Sequence, residues 1–184
     1  MLHCFPGTTI EVSSLQKGAS KQLFDGIFTT GGITLSQLSI MTGLEPYIIQ
    51  NWVKRNFLSP PVGRVYSKEQ FARVAIINML REELQIDKIC HVLNSFVTGT
   101  KHQKSAVIST SELYHMYFDM LSENGIFTTD ENKVFVTTEA YAETIEGIDN
   151  GTKTQLAKIL QIMLFAHKAS ELRDKANQIL FSLE

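Results

Sequence analysis

The chain has 184 residues, 43% of them hydrophobic and 20% charged, with a formal net charge of −2. Such a chain can bury a core as one large domain or two small ones. Its mild negative charge excludes a protein that coats nucleic acid over its whole surface, and no run approaches the ~20 apolar residues of a membrane span. The opening stretch, "MLHCFPGTTIEV", has no basic region followed by an apolar one. No signal peptide is therefore expected, and the reading is a cytoplasmic protein.

Taken in chain order, the pattern predicts helices over 15–25, 35–41, 46–56, 68–83, 86–97, 110–123, 139–147 and 153–182. The fold class is mainly α. Helix starts are marked by capping boxes, in which a hydroxyl and a Glu or Gln three residues on satisfy each other's backbone N–H groups. Thr34/Gln37, Ser67/Gln70, Ser109/Glu112 and Thr152/Gln155 have that spacing. "GIFTT" occurs at Gly26–Thr30 and again at Gly125–Thr129. Its flanks do not align as a repeat, and each Gly is expected to end a helix in a left-handed cap. After the second copy, Ile126–Thr128 and Val134–Val136 can pair as a small hairpin around Asp130–Lys133.

The cysteines, Cys4 and Cys90, are too few and too far apart for a metal-site spacing. Cys90 falls on an apolar helix stripe, as a small core residue. No metal and no cofactor are expected. The charge is unevenly spread. Residues 32–97 hold seven Lys/Arg and five acids, whereas residues 98–184 hold eight and twelve. Lys54, Arg55, Arg64, Lys68 and Arg73 lie within twenty positions, with only Glu69 among them. The polar stretch at 98–107 separates the two segments. It gives three expected units: an N-terminal helical extension (1–31), a basic segment (32–98) and a helical C-terminal segment (108–184).

The helix "EPYIIQNWVKRN" (45–56) holds the candidate chemistry. At about 100° per residue, Ile49, Trp52 and Val53 share an apolar arc, while Tyr47, Gln50, Asn51 and Lys54 share the opposite one, with Arg55 at its edge. The outer arc has two amides and two cations and no carboxylate. Amides pair with base edges and cations with phosphates; an ordinary solvated face accounts for the same residues. The preceding short helix and the "TGLE" turn give the spacing of a helix-turn-helix. In "FLSPPVGRVYS", Pro60 and Pro61 stop any helix, Gly63 allows a tight turn, and Val62 and Val65 flank it, which reads as a small wing with Arg64 near its tip.

Residues 33–93 resemble the DNA-binding domain of the MerR superfamily. The "TG" turn, the second-helix spacing, "FLSPP" and "RVYSKEQFARVAIINMLREEL" followed by "IDKI" carry the likeness. The resemblance implies a winged helix-turn-helix that binds double-stranded DNA as a homodimer. Family members usually place Arg where Tyr47 and Gln50 stand and Tyr where Asn51 stands. Trp52 fills the position of a packed Tyr, and Arg64 and Tyr66 match the wing's "R-x-Y". The likeness is to an uncharacterised bacterial branch, since the C-terminal cysteines of the metal and drug sensors are missing here. Gln50 and Asn51 are the base-reading candidates. Lys54, Arg55 and Arg64 are candidates for phosphate. Tyr47 fits either a phosphate hydroxyl or a surface aromatic, and Tyr66 either a contact or core. Lys68 and Arg73 fit a solvated face equally well.

In the last helix, Ile162, Ala166, Ala169, Leu172, Ala176, Ile179 and Leu183 recur at threes and fours. This stripe is the first candidate for a dimer seam. "ELYHMYFDML" (112–121) is the second, and is also a candidate lining for a small-molecule effector pocket, with plain core as the other reading. Two rival functions remain open. One is a protein-interaction module that keeps the winged fold without DNA binding. The other is an enzyme, for which there is no Gly-rich phosphate loop, no paired His or Cys ligands and no triad; the expectation is no enzyme.

Overall fold

The computed structural model describes residues 3–12, 14, 16–97, 108–122 and 130–183, except for the side chains of His3 and Val97. Among these residues the chain is mainly helical. The elements are β1 (His3–Cys4), β2 (Glu11–Val12), α1 (Ala19–Ile27), β3 (Ile33–Thr34), α2 (Leu35–Thr42), α3 (Pro46–Lys54), β4 (Val65–Tyr66), α4 (Lys68–Leu80), α5 (Ile86–Val97), α6 (Thr110–Ser122), α7 (Glu131–Glu143) and α8 (Asn150–Phe181). Two antiparallel two-stranded sheets pair β1 with β2 and β3 with β4.

Helix starts follow local chemistry. The boxes at Thr34/Gln37 and Ser67/Gln70 close in both directions, and at Ser109 the Glu112 carboxylate accepts from the Ser109 N–H while the Ser109 hydroxyl accepts from Glu112 N–H. The fourth expected box is wrong. Asp149 caps α8 by accepting from the N–H of Thr152, so the helix starts three residues earlier than the Thr152/Gln155 pattern implies. The hairpin is also wrong. Residues 126–128 lie outside the described residues, and Val134–Val136 belong to α7, which Asp130 caps through the N–H of Asn132. Nor does Gly26 end a helix: α1 runs on to Ile27, and the positive-φ glycines of that region are Gly18, ahead of α1, and Gly31, after it. Gly125 lies outside the described residues.

α4 is the centre of the core. Phe71, Ala72, Val74, Ala75, Ile76, Ile77 and Leu80 are all buried, as expected of a helix wrapped on every side. α6 packs along it, with α2, α5 and α8 around. The N-terminal segment, expected only as a helical extension, is woven into this core. Phe5 stacks on Phe118, the Tyr114 hydroxyl donates to the Pro6 carbonyl at 2.8 Å, and Asn78 donates to the carbonyls of Gly7 and Thr42. A Cβ at Gly7 would stand 2.0 Å from the Ala75 carbonyl oxygen, at φ +71. Phe24 of α1 sits against Phe71 and Tyr114, with ring centroids 5.0 and 5.2 Å away. One buried cluster thus runs from Phe24 to Ala166, and the boundary expected at 98–107 falls outside the described residues.

The "ELYHMYFDML" helix is core. Leu113, Tyr114, Tyr117, Phe118, Met120 and Leu121 are buried, which removes it as a dimer seam. α8 changes character along its length. Leu156, Ile159, Leu160, Met163, Leu164 and Ala166 are buried, whereas Leu172, Ile179, Leu180, Phe181 and Leu183 are exposed. Where the buried half gives way to the exposed one, Arg173 reaches the turn after α4 and meets Glu82 at 2.9 Å and Glu83 at 2.6 Å. No described helix is long and apolar enough to cross a membrane.

Candidate nucleic-acid interface

α3 begins with Pro46 at its first position, where the missing N–H costs nothing. Glu45 precedes it and makes no side-chain cap. Ile49 and Trp52 are buried, so Trp52 is a core residue. The helix ends two residues earlier than the pattern predicts. Arg55 is its cap, and Asn56 turns left-handed at φ 59, which lets the N–H groups of Phe57 and Leu58 return to the Trp52 carbonyl. Tyr47, Gln50, Asn51, Lys54 and Arg55 are exposed.

Residues 62–66 form the second wall. Val62 and Val65 exchange both backbone hydrogen bonds at 3.1 Å around a two-residue turn. Gly63 (φ 58) and Arg64 (φ 68) are both left-handed, the arrangement that lets a two-residue turn match the twist of its strands. β4 continues the hairpin and pairs with β3, ahead of α2, a third strand that the sequence did not signal. Gln70 ties the preceding segment to α4, donating to Ser59 and to the Pro60 carbonyl.

Between α3 and this hairpin lies an open cleft of about 400 Å³, lined by Leu35, Gln50, Val53, Lys54, Pro61, Arg64 and Tyr66. An amide and two cations converge there, and no lining residue is a carboxylate. Asn51 and Tyr47 lie on the exposed face of α3 outside the lining. The Arg55 guanidinium packs over the Phe57 ring at 4.5 Å, which orients it without neutralising it. Tyr66 forms the cleft's inner wall but is largely core: it is 3% exposed, and burial pushes its phenol pKa up.

Two further cations of the basic run are spent on structure. Arg73 donates from Nε to the Phe57 carbonyl at 2.6 Å and from a terminal nitrogen to Asn94 at 2.9 Å. Lys68 pairs with Asp25 at 3.6 Å. Lys54, Arg55 and Arg64 make no ion pair among the described residues. The basic patch therefore reduces to three available cations. The Arg73 and Lys68 partners are distant in sequence, which is why sequence alone left these two open.

Cys4 and Cys90 are free thiols, and among the described residues no group of His, Cys, Asp and Glu is placed to hold a metal ion. No curated protein and no solved structure matches the chain. Residues 29–117, a little under half of the chain, are similar to a family described as a domain of unknown function, DUF1836; the matched span runs from just before β3 into α6.

Proposed function

We propose that residues 33–93 form a MerR-like winged helix-turn-helix and that the chain is a sequence-specific DNA-binding transcriptional regulator. α3 lies in the major groove and the 62–66 hairpin is the wing. The observation that carries this reading is the convergence of Gln50, Lys54 and Arg64, from a helix and a hairpin, on one cleft with no carboxylate in its lining. Gln50 and the neighbouring Asn51 read bases, since an amide can pair bidentately with adenine. Lys54, Arg55 and Arg64 meet phosphate and fix position.

The chain acts as a homodimer. Three phosphate contacts per domain leave affinity near the non-specific range of about 10⁻⁴–10⁻⁶ M, and joining two such domains raises it by about 10²–10⁴. The exposed end of α8 supplies the seam: Ala169, Leu172, Ala176 and Ile179 share one face, none is buried, and exposed Leu183 follows just past the helix end. The test is selection from random duplex DNA, followed by Gln50→Ala and Asn51→Ala on the selected site. Each should cost about 1–3 kcal/mol there and little on random duplex. Absence of duplex binding at low salt refutes the reading and leaves the same surface, with exposed Tyr47 and Val62, to a protein partner.

A further inference from the structure

An apolar cavity of about 210 Å³ opens where α4, α5 and α8 meet. Its walls are Ile76 and Leu80 of α4, Ile89 and Leu93 of α5, and Ile159 and Met163 of α8, all buried. Its edge is different. Leu84 and Ile162, which flank the opening, are 36% and 41% exposed. No aromatic ring and no hydroxyl lines it. Water gains nothing in such a space, because it needs two or more polar partners. An engineered cavity of about 150 Å³ with the same kind of lining stays dry and takes up benzene. This one is larger and open at one side.

Lys88 is the one charged residue in the lining. It is exposed and makes no ion pair among the described residues. The carboxylates of the turn just before α5, Glu82 and Glu83, are already held by Arg173. Asp87 is next to Lys88 in sequence but points about 100° away around the helix and does not line the cavity. The site therefore offers an aliphatic body with a single cation at its mouth. We infer that it binds a small monocarboxylate of about eight carbon atoms in all, its hydrocarbon body a little larger than the benzene that the smaller cavity accepts. The body fills the space between the three helices and the carboxylate faces Lys88. This inference does not depend on DNA binding.

Titration calorimetry of the full chain with butanoate, hexanoate, octanoate, octylamine and octanol tests it. Affinity should rise about fourfold for each added methylene, the effect of about 0.8 kcal/mol of burial, and saturate at one octanoate per chain. Lys88→Ala should weaken octanoate about two- to fivefold, the range of an exposed ion pair, and leave octanol unchanged. Val92→Phe, at a partly buried lining position of α5, should fill the cavity and abolish binding while the circular dichroism spectrum is kept. Should that variant fail to fold, Ile162→Phe at the exposed edge serves the same end. The inference is overturned by the absence of saturable octanoate binding, by binding that survives the filled cavity, or by octylamine binding as well as octanoate. Binding that weakens as the protein concentration is raised would also overturn it, because a second copy would then be the occupant.

Discussion

Replacing Arg64 with Gly separates the wing's contribution to binding from its contribution to folding. Arg64 sits at φ 68 in a two-residue turn closed by the Val62–Val65 hydrogen bonds. A left-handed conformation costs an L-residue with a Cβ about 1–2 kcal/mol, and Gly returns about 0.5–1 kcal/mol of that through its freer unfolded chain. The Arg64→Gly protein should therefore fall between unchanged stability and a gain of about 1 kcal/mol in a urea melt. DNA binding should move the other way. One phosphate contact contributes about 0.9 to the log–log salt slope, which amounts to about fivefold in affinity per protomer at 0.15 M salt. Fluorescence anisotropy on a labelled duplex, from 50 to 300 mM salt, reads both quantities. Arg64→Lys keeps the charge and should keep most of the slope. An unchanged slope in the Gly variant refutes backbone contact by the hairpin, and a loss of stability above ~1 kcal/mol refutes the strain argument.

Leu172 is 56% exposed in the projecting half of α8, so Leu172→Glu should convert a dimer to monomer in light scattering without loss of helical circular dichroism; unfolding would mean that this face is covered within one chain. Gly7→Ala places a methyl 2.0 Å from the Ala75 carbonyl at a left-handed φ, and the urea midpoint should drop by the equivalent of about 2 kcal/mol or more. His115 and His167 are both held below 6.5, chiefly by burial. The unfolded chain takes up protons first as pH falls below about 6.5, so stability should fall through that range toward the native pKa values. The double variant His115→Gln/His167→Gln should show a shallower slope in pH-dependent urea melts.

What the sequence made legible was local. The boxes at Thr34, Ser67 and Ser109 succeed because each is closed by residues three apart. Thr152/Gln155 misleads because Asp149, three residues earlier, makes the stronger cap and takes the Thr152 N–H for itself. Val134 and Val136 alternate as a strand would, yet α7 forms. Its Val134 and Thr138 are buried one turn apart, and Thr138 receives a hydrogen bond from Gln161 of α8, so tertiary packing outweighs a short alternation. The exposed amide-and-cation arc of α3 is visible from helical spacing alone. The cleft is not, since it needs the hairpin brought alongside α3. Nor is the loss of Arg73 and Lys68 to structural partners, sixteen or more residues away.

The clamp of Arg173 on Glu82 and Glu83 sits at the root of an overhang. From it to the helix end at Phe181, α8 is a lever about 13 Å long at 1.5 Å per residue. Ten degrees of play at the root moves the tip by about 2 Å, more than half of one base-pair rise. In the proposed dimer, two such levers joined at their ends would fix how far apart the two α3 helices stand. With the clamp intact, that dimer should tolerate one spacing of half-sites, and Arg173→Ala should trade the rigidity for tolerance of neighbouring spacings.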